Sequence, residues 1–220
     1  MKVKTGKLYA VITGDIVASS RLSLLERVQL HEAMKRAESE LKKQLGPAMP
    51  LGVDIYAGDS WQVLLSEPQT ALRAALLYRA HLLASVDKTD TRLVIGIGTV
   101  DFVPRGRVSE GEGEAFQASG RLLTEGKGAS RMRFAAPSHP EWDLWDVVFT
   151  LLDALIVRQW TAKRALALTG ALRHWTQERI TTLWKPHIRQ QSVVEHLQGA
   201  GWEATEQTLD AFERSLSGRL

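Results

Sequence analysis

Cysteine is absent from the sequence, which excludes disulfide bonds, thiolate nucleophiles and zinc–thiolate sites. Long hydrophobic runs are absent as well. The longest apolar stretch, Val147 to Val157, is too short to span a bilayer and is interrupted by Asp153. The first residues lack the apolar run of a signal peptide. We therefore expect a soluble, cytoplasmic protein with no membrane partner.

Familiar catalytic motifs are also missing. The chain has neither a Ser-His-Asp pattern nor a phosphate-binding P-loop, and its 6 histidines are scattered without metal-ligand spacing. Its 220 residues, 44% hydrophobic and 24% charged, suffice for one large domain or two small ones with a real core. A net charge of +3 permits a nucleic-acid partner but does not indicate one.

Hydrophobic patterning predicts a chain that begins with alternating strands and helices. Strands are expected over 8–13, 53–56, 61–65, 91–100 and 131–135, and helices over 23–45, 68–84 and 115–124. Ser23 with Glu26 forms a capping-box pattern that starts the first helix. The first six elements match the split βαβ, ferredoxin-like arrangement. The predicted fold class is α+β, an antiparallel sheet with helices on one face, followed by an all-helical C-terminal region.

The composition and hydrophobic patterning of the sequence change after Pro137. Of the 7 tryptophans, all but Trp61 lie beyond residue 140, and no strand-like alternation remains there. We therefore predict an α+β domain over residues 1–138 and a helical region over residues 139–220.

Two aspartates carry the clearest chemical signal. Asp15 follows the first predicted strand, and Asp59 lies at the tip of the predicted hairpin, which is a spatial neighbour of that strand in a split βαβ sheet. Two carboxylates brought together repel unless a cation or a shared proton compensates them. Hard oxygen ligands favour Mg²⁺, Mn²⁺ or Ca²⁺. Each Gly-Asp pair is also ordinary turn chemistry, so either aspartate taken alone is better explained as a turn former, and the metal interpretation rests on the pair.

The segments around these aspartates resemble the SatD family. Residues 12–21, Ile-Thr-Gly-Asp-Ile-Val-Ala-Ser-Ser-Arg, and 56–62, Tyr-Ala-Gly-Asp-Ser-Trp-Gln, are similar to its two signatures, with Trp61 at the usual phenylalanine. Members of that family often carry a C-terminal helix-turn-helix segment. The resemblance implies a cytoplasmic regulatory protein.

More distantly, the same segments resemble class III nucleotidyl cyclases, and the likeness extends collinearly over about residues 8–136. It continues through 92–98, like a cyclase strand, and through 113–122, like a helix that carries an asparagine and a transition-state arginine. The resemblance implies that Asp15 and Asp59 bind Mg²⁺ or Mn²⁺ with a nucleoside triphosphate. It further implies a homodimer in which Gln117 and Arg121 occupy the catalytic positions.

Departures from the cyclase pattern limit what can be carried over. Ile55 stands where cyclases that use ATP place a base-reading lysine, and Gln117 replaces the asparagine. A positioning error near 1 Å costs catalysis severely. Arg121 is alternatively a surface arginine in a salt bridge. Ser19, Ser20 and Ile16 are predicted to contact the nucleotide near the start of the next helix, although the two serines equally suit loop and capping chemistry.

The C-terminal region contains a possible helix-turn-helix over about residues 176–197. Arg179, Arg189, Gln190 and Gln191 are the side chains predicted to contact DNA. The turn is about two residues longer than the turn of the usual motif. The acidic stretch that follows would repel the phosphates of DNA. The alternative is a helical bundle that packs on the sheet domain or forms a dimer through its tryptophans.

Three functional hypotheses follow. The preferred one is a regulator whose cyclase-like domain binds a divalent metal and a nucleotide, coupled to a DNA- or partner-binding tail. The first alternative is an active metal-dependent nucleotidyl cyclase or nucleotide-processing enzyme. The second is a catalytically inactive scaffold.

Overall fold

The computed structural model describes residues 3–86, 89–125 and 130–217. Within them, the strands are β1 (Tyr9–Ile16), β2 (Asp54–Tyr56), β3 (Ser60–Leu65), β4 (Thr91–Gly98) and β5 (Met132–Ala135). The α-helices are α1 (Leu24–Leu45), α2 (Ala71–Ser85), α3 (Glu114–Glu125), α4 (Leu144–Gln159), α5 (Ala162–Ala171), α6 (Gln177–Thr181), α7 (Gln190–Gly199) and α8 (Trp202–Ser217). The predicted order of the first eight elements is confirmed.

Local sequence chemistry sets both ends of α1. The Ser23 hydroxyl accepts a hydrogen bond from the backbone N–H of Glu26, and the Glu26 carboxylate accepts one from the Ser23 N–H at 2.8 Å. This reciprocal pair is the predicted capping box, and it satisfies two N–H groups that a helix start leaves open. The helix ends at Gly46, whose φ of 49° is accessible at little cost without a Cβ.

The sheet has the strand order β2-β3-β1-β4-β5. β1 pairs antiparallel with both β3 and β4, and β2 pairs antiparallel with β3. These four strands with α1 and α2 form the split βαβ arrangement, so the α+β class is confirmed. The structure adds that β5 lies parallel to β4, which makes the sheet mixed. A parallel neighbour requires a long crossover connection, and the segment containing α3 provides it.

Helices lie on both faces of the sheet. Successive side chains of a strand point to opposite faces. Ala10, Ile12 and Ile16 therefore pack with α1 and α2 in the main core, whereas Tyr9 and Val11 pack with α3. The prediction that helices cover one face of the sheet holds for α1 and α2, whereas α3 crosses the other face.

A glycine in β4 allows α3 to approach the sheet closely. A Cβ on Gly96 would lie 2.4 Å from the carbonyl oxygen of Ala115. Contact between strand and helix backbones at this point depends on the missing side chain.

The C-terminal helices extend the main core. Phe149 on α4 and Phe212 on α8 pack against Phe134 of β5, with ring centroids 5.3 and 5.9 Å from it. α2 is covered on almost every side, so that even Arg73 and Arg79 are buried. The division of the chain at residue 138 stays a prediction. Among the described residues, no helix is both long and apolar enough to cross a membrane.

Candidate functional site

The backbones of the two predicted metal ligands lie side by side. Asp15 is the second-last residue of β1 and is paired with Ser60 of β3. The N–H of Ile16 donates a hydrogen bond to the carbonyl oxygen of Asp59 at 3.2 Å. The expected neighbourhood of first strand and hairpin is therefore present. The two carboxylates, however, have different partners.

The Asp15 carboxylate is bound by Arg92. It accepts hydrogen bonds from Nε at 2.8 Å and from Nη2 at 2.5 Å. The two residues are paired across β1 and β4, which places both side chains on the face that α3 covers. A bidentate arginine pair is a strong, oriented interaction. A metal at Asp15 would therefore compete with this guanidinium. Sequence patterns do not reveal Arg92 as the partner of Asp15, because the pairing depends on strand register.

Tyr56 lies near the same carboxylate. It pairs with Ser60, which in turn pairs with Asp15, so the three residues form a row across the sheet. Burial raises the pKa of the Tyr56 phenol, and the negative charges of Asp54 and Asp15 raise it further. The phenol therefore stays protonated near neutral pH and can donate a hydrogen bond.

Asp59 belongs to a tight turn and is directed towards α1. The turn residues Ala57 and Gly58 have φ values of 50° and 86°, and the Asp59 carboxylate accepts a hydrogen bond from the Ser19 hydroxyl. Asp59 lines a cavity of about 740 Å³ between the turn and α1. Pockets of this size suit a small-molecule ligand. Of the two aspartates, Asp59 borders this cavity and Asp15 lies outside its wall.

A row of basic side chains forms the α1 wall of this cavity. Arg27, His31 and Lys35 all line it, and they are spaced four residues apart along the helix. Residues at this spacing share one helix face. None of the three is among the predicted site residues, although their four-residue spacing is visible in the sequence. The row and Asp59 together suit a ligand that carries both negative charge and a metal.

The three predicted nucleotide contacts differ in their availability. Ser19 and Ser20 both line the cavity, in a 3-10 turn that precedes α1. The Ile16 side chain is buried in the main core. For Ile16, any contact with a ligand would have to come from its backbone.

The predicted catalytic side chains on α3 face solvent. Gln117 and Arg121 are both exposed and lie one helical turn apart. The Arg121 side chain is 76% exposed, and its Nε lies 3.8 Å from Glu125. Within one chain, this placement corresponds to the surface salt bridge considered as the alternative.

Metal-ligand chemistry is sparse in the described parts of the chain. Across residues 3–86, 89–125 and 130–217, no group of three or more histidine, aspartate or glutamate residues is arranged to hold a metal ion. Mg²⁺ is often held by one or two carboxylates plus water and phosphate oxygens. Asp59 offers one such carboxylate at the cavity beside α1. The Asp15 carboxylate lies on the α3 face of the sheet and is bound by Arg92, so the pairing of the two aspartates at one metal stays a prediction.

The predicted helix-turn-helix corresponds to α6, the connection 182–189 and α7. Thr176 caps α6 by accepting the Arg179 N–H at 3.2 Å, and Ile180, Val193 and Leu197 are buried. The four predicted DNA contacts are exposed: Arg179, Arg189, Gln190 and Gln191. Gln190 donates to Gln177 at 3.1 Å, which joins the starts of the two helices.

Comparison with known proteins gives structural neighbours only. No family model matches the sequence, and no curated protein matches it. The catalytic core of a rhodopsin-guanylyl cyclase in complex with ATPalphaS is 15% identical over 54% of this chain and 72% of its own, with a TM-score of 0.39. Two structures of a bacterial light-regulated adenylyl cyclase are 17% and 16% identical over 58% of this chain, both with TM-scores of 0.37. The matched regions span 74% and 42% of the two adenylyl cyclase chains, respectively. Similarity of this extent assigns no activity, and membership of the SatD family stays a prediction.

Proposed function

We propose that the protein is a regulator that binds a nucleoside triphosphate, or a related nucleotide, together with Mg²⁺ or Mn²⁺ beside the β2–β3 turn. The observation that carries the proposal is the cavity between this turn and α1. Its wall combines the carboxylates of Asp59 and Glu32 with two serine hydroxyls and the basic row of α1. A metal–phosphate group needs both kinds of partner, because its oxygens carry more negative charge than the metal neutralises.

The donor chemistry fits a metal that arrives with its phosphates. Asp59 would hold it at the cavity, whereas Asp15, which the cyclase pattern pairs with Asp59, would first have to release Arg92 and turn away from the α3 face. When bound, such a metal neutralises phosphate charge. The basic row would hold the remaining oxygens, and Ser19 would exchange its hydrogen bond with Asp59 for one to the ligand.

Two features favour regulation over turnover. Ile55, at the position of the base-reading lysine, packs against the main core, so it offers no polar group to a base. Gln117 stands where the cyclase pattern has an asparagine, and its side chain is one methylene longer. It projects with Arg121 from α3 into solvent, so a second chain would have to receive both at its own site. The predicted homodimer can be checked by light scattering of the chain with and without Mn²⁺ and nucleotide.

Titration calorimetry of the full chain with ATP and with GTP, each with Mg²⁺ or Mn²⁺, tests the binding. We expect Asp59→Asn to weaken binding at least about tenfold, since a charged contact contributes about 1.5–3 kcal/mol. Asp101→Asn, on an exposed loop, is the matched control and should bind like the wild type. Absence of any heat with either nucleotide would leave the scaffold alternative.

Chromatography of labelled nucleotides after incubation separates a binder from an enzyme. Recovery of unchanged nucleotide from a protein that binds it supports regulation. A new product that disappears in Arg121→Ala supports the cyclase alternative instead.

We further propose that the tail binds DNA or a protein partner through the exposed start of α7. Part of the acidic stretch that opposes this hypothesis is paired within the chain, because Glu213 and Asp210 of α8 lie 2.7 and 3.8 Å from Arg73 on α2. A gel shift with genomic fragments at increasing salt tests the DNA hypothesis. Arg189→Ala should weaken the shift and lower its salt dependence. A salt-independent shift, or none, would favour a protein partner.

A further inference from the structure

A second cavity lies where the sheet region meets the helical tail. It has a volume of about 770 Å³ and is bordered by α1 and α2 on one side and by α5, α6 and the segment between them on the other. Nucleotide binding beside Asp59 does not use it, and of the four predicted DNA contacts only Arg179 lines it. Its size is again that of a small-molecule pocket.

Positive charge dominates the wall of this cavity. Arg36, Lys43, Arg173 and Arg179 line it, together with the single carboxylate of Glu40. Glu40 is shared, because it accepts hydrogen bonds from both Lys43, at 2.7 Å, and Arg173. Arg36 makes a loose, exposed contact with Glu32 at 3.7 Å. The wall therefore holds more positive charge than its own carboxylate compensates.

Two of these arginines are stacked on one tryptophan. The guanidinium carbons of Arg173 and Arg179 each lie 3.8 Å from the Trp175 ring centroid. Stacking occupies the flat face of a guanidinium and leaves its N–H edges free to bind an anion. Because both arginines already contact Trp175, we expect a ligand to be recognised by its charge and not by stacking on this ring.

A half-buried histidine adds one buried polar atom for which the described part of the chain offers no partner. The Nε2 atom of His81 is buried and has no hydrogen-bond partner among the described residues. Burial, reinforced by the charge of Arg173, lowers the pKa of His81 to about 4. The imidazole is therefore neutral at physiological pH, in a wall where an anion would supply the partner that Nε2 lacks.

We propose that this cavity binds a small molecule bearing a phosphate group. The phosphate is held by the N–H edge of Arg179, the ammonium group of Lys43 and the guanidinium of Arg36. The ligand thereby bridges α1 to the tail. Phosphate is favoured over a single carboxylate because its greater charge matches several cations at once. This site is separate from the cavity beside Asp59, and the proposal does not depend on nucleotide binding there.

Adjacent lysines on α1 provide a matched test. Lys43 lines the cavity, whereas Lys42 is exposed beside it and lies outside the wall. Inorganic phosphate and pyrophosphate are titrated calorimetrically into the full chain at low salt. We expect Lys43→Gln and Arg179→Gln each to weaken binding about tenfold, while Lys42→Gln stays within about twofold of the wild type. Far-ultraviolet circular dichroism and the melting temperature establish that each variant is folded.

Tryptophan fluorescence locates the ligand independently. Moving Arg179 towards a phosphate changes the surroundings of Trp175, so the phosphate-induced emission change should disappear in Trp175→Phe. Lys35→Gln, in the first cavity, should leave this change intact and thereby separate the two sites.

Two results would overturn the proposal. One is that the wild type binds neither phosphate nor pyrophosphate, including the case in which these side chains serve only to bind DNA. The other is that Lys42→Gln weakens binding as much as Lys43→Gln, which would indicate general charge attraction.

Discussion

Arg79 is the charge whose removal should disturb this fold most. Its side chain is fully buried on α2, between Asp90 before β4 and Asp153 on α4. It donates to Asp90 from Nε and Nη2, both at 2.8 Å, and to Asp153 from Nη1 at 2.6 Å. Arg79→Met keeps most of the side-chain volume and removes the charge that two almost fully buried carboxylates share.

The size of the effect follows from what remains. Asp90 keeps Arg131 and the Thr91 N–H, and Asp153 keeps Ser130 and the Arg131 N–H. Removing one partner of a buried ion pair costs about 3–5 kcal/mol because the other charge is left uncompensated. For a chain of this length, that corresponds to a melting temperature lower by about 6–20 °C.

Urea unfolding followed by tryptophan fluorescence and circular dichroism measures this loss. Arg121→Met is the matched control, since its side chain is 76% exposed, and it should change stability by less than about 0.5 kcal/mol. If Arg79→Met prevents folding, Asp153→Asn gives a milder removal of charge from the same network.

The pH dependence supplies a second signature. Burial alone would raise the pKa of Asp90, but the charge and hydrogen bonds of Arg79, with hydrogen bonds from Arg131 and the Thr91 N–H, outweigh it and lower the pKa. In the wild type, this contribution is present above the unfolded pKa and is lost as the pH falls through the lower folded value. Without Arg79, the pKa of Asp90 rises. Protonation of Asp90 at acidic pH then removes the uncompensated buried charge of the variant. The difference in unfolding free energy between the wild type and Arg79→Met should become smaller from about pH 7 to about pH 4. A difference that stays constant over this range would refute the electrostatic reasoning.

Three smaller perturbations test other parts of the structure. The folded pKa of His81, about 4, lies below its ordinary value, so its contribution to stability is lost as the pH falls from about 6.5 to 4. His81→Gln should reduce that loss by about 3 kcal/mol in urea unfolding; an unchanged pH profile would contradict it. Gly96→Ala should destabilise by about 1–3 kcal/mol because its Cβ meets the α3 backbone, while Gly120→Ala, with open space around it, should stabilise by about 0.5–1 kcal/mol. Asp54→Ala removes the acceptor of Ser109 N–H and hydroxyl bonds at 2.9 and 2.6 Å and should accelerate tryptic cleavage of the 104–113 loop; unchanged cleavage would show that the loop is held elsewhere.

Local signals in the sequence predict much of the fold. The Ser23–Glu26 capping box, the Gly46 stop and the apolar runs locate α1 and the strands to within a few residues. The order of these elements then indicates the split βαβ sheet. These features depend on neighbours in the chain, which is why sequence patterns carry them.

Pairings between distant residues are what the sequence does not reveal. Arg92 binds Asp15 only because β4 aligns with β1 in one register, and a shift by one residue would turn the two side chains to opposite faces. Arg79 reaches Asp153 across 74 positions. The basic row of α1 is the exception, because its regular four-residue spacing is enough to predict a shared helix face.

Ion pairs also decide how the two parts of the chain depend on each other. From α2, Arg79 reaches Asp153 on α4, and Arg73 reaches Glu213 on α8. A chain cut at residue 138 would therefore leave two arginines of α2 without these carboxylates and would expose the apolar surface that α4 and α8 cover. We propose that residues 1–138 and the tail consequently fold as one cooperative unit, although their sequences differ in texture. In such a unit, a ligand that braces α1 against α5 and α6 stabilises the sheet region and the tail together.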